Sequence, residues 1–352
     1  MQTSIYKLKF IGKPFKHLAM RNAIASIFCL LALNSFAPSP PKSLVRPIAL
    51  PSRLIDGRFY IKIPTPGGDT LLGFCDTGGG FNAVYPTAIT RLHLEGKVLE
   101  AAIDSEKIRY IPAKDVIADP NIPSPSMRPD LLPSIKVPFF QVPAPSEEFE
   151  MINAYIPHDV FLGQFFFIDH AWTFDYQNGK VYINTRLSRN ANNKNIQPLG
   201  FKKDKAGHKL FAHPSMRVEI DGQLIDVLFD TGASILLSNK TQTELLSSSK
   251  SIAGSFIAKS IFDQWHTQHP DWRFIEKGEV TRADMIQVPQ VKIGNTTAGP
   301  VWFAKRPDEA WSKGMISSMD KVVKGAVGGS LFQYYKVTID YNSELARFEK
   351  ND

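Results

Sequence analysis

The chain contains two cysteines in 352 residues, Cys29 and Cys75. Cys29 lies in an apolar stretch from Ile24 to Leu33 that follows Arg21 and runs into Ser35-Phe36-Ala37, which puts small residues at the −3 and −1 positions of a signal-peptidase cut. Residues 1–37 are therefore expected to be a signal peptide cleaved near Ala37, with Met20 as an alternative start, and the protein to be secreted or periplasmic. Loss of Cys29 with that segment leaves Cys75 alone, which excludes an intramolecular disulfide and hands stability to the core. The chain also lacks a hydrophobic run long enough to span a bilayer comfortably, so no stable membrane insertion of the mature chain is expected. Acidic residues are absent from the first 37 positions, where Lys7, Lys9, Lys13, Lys16 and Arg21 lie. Of the formal charge of +7, those five leave +2 for residues 38–352, and no nucleic-acid partner is expected.

What the chain does contain is Asp-Thr-Gly, twice. Asp76-Thr77-Gly78 ends the apolar run Leu71-Leu72-Gly73-Phe74-Cys75, and Asp230-Thr231-Gly232 ends Val227-Leu228-Phe229. A given tripeptide of this kind arises by chance in such a chain with probability of roughly 0.05 to 0.1, so two copies in one context argue for a repeat. A strand ending in a carboxylate, a hydroxyl and then glycine makes a tight turn that holds the carboxylate at the strand end. Two such turns face to face give a carboxylate dyad.

The surroundings repeat as well. Phe59 to Ile63, a Pro66-Gly67-Gly68 turn and Leu71 read as a hairpin before Asp76; Met216 to Ile220, Asp221-Gly222 and Leu224 read as one before Asp230. Short helices are expected around Pro86 to Leu94 and Asn239 to Ser247, and another from Ala258 to His269. Each half closes on an apolar-Gly element, Phe161-Leu162-Gly163 or Ala326-Val327-Gly328. These run on to Thr173-Phe174-Asp175-Tyr176, turning at Gln177-Asn178-Gly179 into Val181 to Ile183, and to Thr338-Ile339-Asp340-Tyr341, turning at Asn342-Ser343. Ser188 to Gly207, rich in Asn and Lys, reads as a linker between an N-terminal lobe of residues 38–187 and a C-terminal lobe of residues 208–352. The aromatic runs Phe165-Phe166-Phe167 and Tyr334-Tyr335 read as strand core.

With paired Asp-Thr-Gly and paired apolar-Gly elements in hand, residues from about 55 to 352 resemble the pepsin and retropepsin-like aspartic proteases. The resemblance implies an all-β, bilobal acid-protease fold of two related β-barrel-like lobes with a few short helices, each apolar-Gly strand crossing near its own Asp loop at Leu162, Gly163, Val327 and Gly328. It also implies an endopeptidase, active as a monomer, with Asp76 and Asp230 as catalytic residues. Thr77 and Thr231 then hydrogen-bond across to the opposite loop, while Gly78 and Gly232 permit the turns and offer N–H groups to the carboxylates. The substrate is a protein or peptide, and no metal or cofactor is required. The chain departs from the pepsin pattern at Gly79 and Ala233, where Ser or Thr is usual. It has no clear flap beyond a nomination of Tyr110, and it inserts a Pro-rich segment from Pro120 to Pro145.

The residues also admit blander readings. Asp-x-Gly after a strand is often only a turn, although two copies in matching lobes favour a dyad. Cys75 alternates away from the carboxylate and reads as a small core residue rather than a nucleophile. His266 and His269 are spaced for a metal pair on a helix, but with no third ligand evident they read as a solvated face. Two alternatives to a general endopeptidase remain: a catalytically silent peptide-binding protein of the same fold, and a processing protease of narrow specificity.

Overall fold

The computed structural model describes residues 46–103, 106–127, 132–187 and 195–351. The expected signal peptide over residues 1–37, with its cut near Ala37, lies outside the described residues, as do residues 188–194 of the expected linker. From Pro47 onward the chain forms one compact unit.

The hairpins before the two Asp-Thr-Gly elements follow from alternation and turn chemistry. In the strand Arg58–Pro64, Phe59, Ile61 and Ile63 share one buried face, while Tyr60 on the other packs against Phe74 at 5.4 Å. The chain reverses through Gly68, whose φ of +90° suits only glycine. It then pairs antiparallel as Thr70–Cys75, in a register that sets Ile63 opposite Leu71. Ser215–Ile220 and Gln223–Phe229 pair likewise across Asp221 and Gly222, both at positive φ (51° and 72°), as a two-residue hairpin of the right-handed twist requires.

Among the described residues, strands between Ser52 and Leu162 build an eight-stranded sheet and strands between Ser215 and Val327 a nine-stranded one. In both, the strand leading to Asp-Thr-Gly is flanked by its hairpin partner on one side. On the other it pairs parallel with the apolar-Gly strand: Thr70–Cys75 with Val160–Leu162, and Gln223–Phe229 with Gly325–Val327. A six-stranded sheet joins the halves, with Ala171–Asp175 antiparallel to Tyr335–Asp340 at its centre. Thr173 and Thr338 face each other there, their hydroxyls 2.8 Å apart. The strand order of every sheet runs from one edge to another, so none closes on itself into the barrel expected of each lobe. The fold is mostly β-sheet with a few short helices.

One hydrophobic core runs through both halves. Phe59 meets Tyr176 edge-on at 4.8 Å, and Phe229 stacks on Phe332 at 4.5 Å. Among the helices are Pro86–Arg91, begun by its proline; Asn239–Glu244, capped by the Ser238 hydroxyl; and Lys259–Gln268, which buries Phe262 and Trp265. None of the described helices is long and apolar enough to cross a membrane.

Several local expectations are corrected. Phe165-Phe166-Phe167 sit in a short helix, Gln164–Phe167, rather than a strand; pairing stops at Gly163 because the Gln164 N–H turns away to the Gly79 carbonyl at 2.9 Å. Of the expected linker, residues 196–198 are a strand paired with 345–347, and Gly200 bridges to Ser215. The Pro-rich segment is not wholly an insertion, since Phe139–Gln141 joins the eight-stranded sheet between Asn82–Val84 and Glu106–Pro112. Tyr110 lies within Glu106–Pro112, opposite Leu99 and Gln141 and edge-on to Phe139 at 5.4 Å.

Candidate active site

Each Asp sits where its strand stops pairing as part of the hairpin. The Asp76 N–H donates to the Leu162 carbonyl and the Asp230 N–H to the Val327 carbonyl, both at 2.9 Å. The chain then folds tightly: the Gly79 N–H returns to the Asp76 carbonyl at 3.1 Å, and the Ala233 N–H to that of Asp230 at 3.3 Å. The strands that cross behind these loops end in glycine because nothing larger fits. A β-carbon at Gly163 would lie 2.0 Å from the Phe81 carbonyl oxygen, and one at Gly328 would lie 2.6 Å from that of Asp230.

The two loops are tied to each other through their threonines, both fully buried. The Thr77 hydroxyl donates to the Phe229 carbonyl at 3.0 Å and accepts from the Thr231 N–H at 3.0 Å. Reciprocally, the Thr231 hydroxyl donates to the Cys75 carbonyl at 3.0 Å and accepts from the Thr77 N–H at 3.2 Å. Four hydrogen bonds thus cross between halves of the chain at the base of the loops.

This grip brings the carboxyls together. Each lies against the glycine of the opposite loop, close enough for each carboxyl to shift the titration of the other. A β-carbon at Gly78 would be 2.5 Å from Asp230 Cγ, and one at Gly232 would be 2.2 Å from Asp76 Cγ. Asp230 is 9% exposed, and its Oδ1 accepts from the Gly232 N–H at 3.0 Å; Asp76 is half-buried. Burial above all, then the charge of Asp230, pushes the Asp76 carboxyl well above the usual carboxylate range, against the pull of the Gly78 and Gly79 N–H groups. Burial likewise raises Asp230, opposed by Asp76 and by hydrogen bonds from the N–H groups of Gly232, Ala233 and Gly78. Like charges in contact and out of water cannot both persist, so one shared proton is the low-energy state over a range of pH. Such a pair can act as base and acid at once.

The other nominated residues lie apart from this chemistry. Cys75 is fully buried on the core side of its strand, and burial pushes its thiol far up. His266 stacks on Phe274 at 4.0 Å; His269 stacks on Trp272 at 4.1 Å and bonds Asp221 at 2.8 Å. Among the described residues no three His, Cys, Asp or Glu side chains gather as a metal site would need.

Sequence reasoning missed four residues around the loops. The ring of Phe161 fills the space beside Gly79, where a β-carbon would lie 2.3 Å from its Cε1 and 3.2 Å from Asp76 Cγ. Arg58, 1% exposed, reaches from the first half to Ser234 at 3.3 Å and Ser251 at 2.8 Å; Ser234 in turn donates to the Gly232 carbonyl at 2.8 Å. Gln164 and His213, both buried, touch the shoulder of the first loop. A lone buried polar residue carries no periodic signal; the one hint was that Gln164 directly follows the apolar-Gly element.

No protein-family model and no curated protein matches the chain. Among solved structures it is similar to a retropepsin-like aspartic protease from Rickettsia conorii, at 16% identity over 43% of this chain and 92% of that one, with a TM-score of 0.24. That likeness is too slight to define the fold.

Proposed function

We propose that the protein is an aspartic endopeptidase that hydrolyses peptide bonds with a water activated between Asp76 and Asp230. The observation that carries this reading is that the crossed threonines hold the two loops so that each carboxyl lies against the glycine of the other, buried and electrostatically linked. A binding protein has no chemical need for two acids in such costly proximity. The charged member of the pair takes a proton from the water, which attacks the peptide carbonyl carbon. The protonated member hydrogen-bonds the carbonyl oxygen and supports the oxyanion, and a proton then passes to the leaving amine. The residues themselves supply every proton transfer, so the chemistry asks for no metal, cofactor or covalent intermediate.

The reading extends to an exported protein, freed of residues 1–37 near Ala37 and active as a monomer. Residues 38–187 and 208–352 then form the two lobes, each contributing one carboxylate to the dyad. The test is to incubate residues 38–352 with a diverse peptide mixture, with and without a statine-type inhibitor, and to read new termini by mass spectrometry. Asp76→Asn and Asp230→Asn should each remove activity by about 10³-fold or more, with the double variant scarcely worse than either. Inhibitor-sensitive cleavage that survives in either folded variant sinks the assignment.

A further inference from the structure

The first Asp loop continues as Gly78-Gly79-Gly80, three residues with no side chain to hold them and more conformational freedom than any others. The second continues as Gly232-Ala233-Ser234, where Ser234 bonds back to Gly232. What fixes the glycine shoulder comes from outside it. The Gln164 N–H donates to the Gly79 carbonyl at 2.9 Å and its side-chain amide to the Gly80 carbonyl at 3.3 Å, while its Oε1 accepts from the Ala212 N–H at 2.7 Å. His213, the next residue along, sets Nε2 3.4 Å from the same Gly79 carbonyl and Nδ1 2.9 Å from the Ser318 hydroxyl.

A carbonyl can only accept, so a bond from His213 to Gly79 requires Nε2–H, and the single Ser318 hydroxyl hydrogen is shared between His213 Nδ1 and the Met315 carbonyl 3.1 Å away. Gln164 is fully buried and His213 2% exposed, so water cannot replace either set of bonds. Gly79 in turn donates its N–H to the Asp76 carbonyl and lies against the Asp76 carboxyl. We propose that Gln164 and His213 are positioning residues, a brace in which Gln164 of the first half is held by Ala212 and joined by His213 of the second, and which fixes the glycine shoulder and through it the orientation of the Asp76 carboxyl. This rests on the peptidase reading for its kinetic consequence, though not for its geometry.

The test exploits reach. A glutamine amide can place an N–H where His Nε2 stands, whereas an asparagine amide stops at the Nδ1 position. His213→Asn and Gln164→Met should lower kcat about tenfold, the value of roughly one hydrogen bond, with KM within about twofold. His213→Gln should stay within about threefold of the parent. Val291→Ala, a core truncation in another part of the nine-stranded sheet, serves as the control for lost stability. Independently of turnover, the ¹³Cγ signals of labelled aspartates report the titration of the dyad, which should move in His213→Asn and Gln164→Met and return in His213→Gln. If the parent shows a coupled titration but cuts no peptide, the peptidase reading fails and the brace is judged by the titration alone. If His213→Asn and His213→Gln behave alike, or if the titration moves no more than in Val291→Ala, the two residues only pack and the proposal is overturned.

Discussion

Gly79→Ser introduces the hydroxyl that pepsin-like chains carry after Asp-Thr-Gly, and in this protein it should fail for a steric reason before its chemistry can act. The new β-carbon would sit 2.3 Å from Phe161 Cε1 and 2.7 Å from Cζ. The ring cannot simply swing aside: it stacks on Phe81 at 5.1 Å and lies against Phe74 at 5.8 Å and His158 at 6.0 Å. Overpacking of this kind costs about 1–3 kcal/mol. Relieved at the loop, where Asp76 Cγ is 3.2 Å from the same β-carbon, it should lower kcat/KM by roughly 5- to 150-fold. Shrinking the ring reverses the outcome. In Phe161→Ala the serine has room, and its hydroxyl can donate to the Asp76 carboxylate. That bond favours the charged form and lowers the carboxyl's pKa, so the acidic limb of the kcat/KM profile should move to lower pH. The assay is a double-mutant cycle of Gly79→Ser and Phe161→Ala on a cleavable peptide between about pH 3 and 8, with the double variant far less damaged than the sum of the two. Full activity in Gly79→Ser alone, or strict additivity, would show that the ring does not occupy the place of the hydroxyl.

Other perturbations test the same geometry. Both carboxyls are raised by burial, so the folded state holds a proton more tightly than the unfolded one, and stability is greatest at acid pH and declines as pH rises past the ordinary carboxylate range. Asp76→Asn should therefore raise the urea midpoint at pH 7 and bring little gain near pH 3; equal shifts at both would refute the desolvation argument. Thr77→Val keeps the shape but removes both bonds of the hydroxyl, leaving the Phe229 carbonyl and the buried Thr231 N–H without it, at a cost of about 2–4 kcal/mol. Thr77→Ser should recover most of that stability in denaturant unfolding, and a silent Thr77→Val would mean the grip is not stabilising. Cys75→Ala should retain activity, and native protein should resist thiol reagents; rapid alkylation with loss of activity would return Cys75 to consideration.

How far the fold was legible depends on how local each determinant is. The Asp221-Gly222 turn, the Pro86 helix start and the paired apolar-Gly elements are written within a few residues, and strands and helices form there. The Leu162 and Val327 carbonyls that receive the Asp N–H groups follow from the same short motifs. Long-range pairing left no such trace. Ile196 to Pro198 looks like linker because its partner strand lies about 150 residues away, and three successive phenylalanines suit a strand or a buried helical turn equally until Gly79 claims the Gln164 N–H. The departure at Gly79 was visible as a missing hydroxyl, but not its counterpart, the Phe161 ring. Arg58, Gln164 and His213 had no pattern to betray them because each serves a loop from the far half of the chain or from the adjoining strand.

The crossed threonines also set a clock. Each hydroxyl is bonded to backbone of a loop about 154 residues away along the chain, so neither loop can be completed before both halves have been made. At synthesis rates of about 5–20 residues per second, the first loop waits roughly 8–30 s for its partner. During that interval Asp76 is an ordinary carboxylate at the end of a strand, free to ionise and unable to act as an acid near neutral pH. On the peptidase reading the nascent chain is therefore silent toward its neighbours, and toward itself, until the last strands join the sheet that carries Thr173 and Thr338.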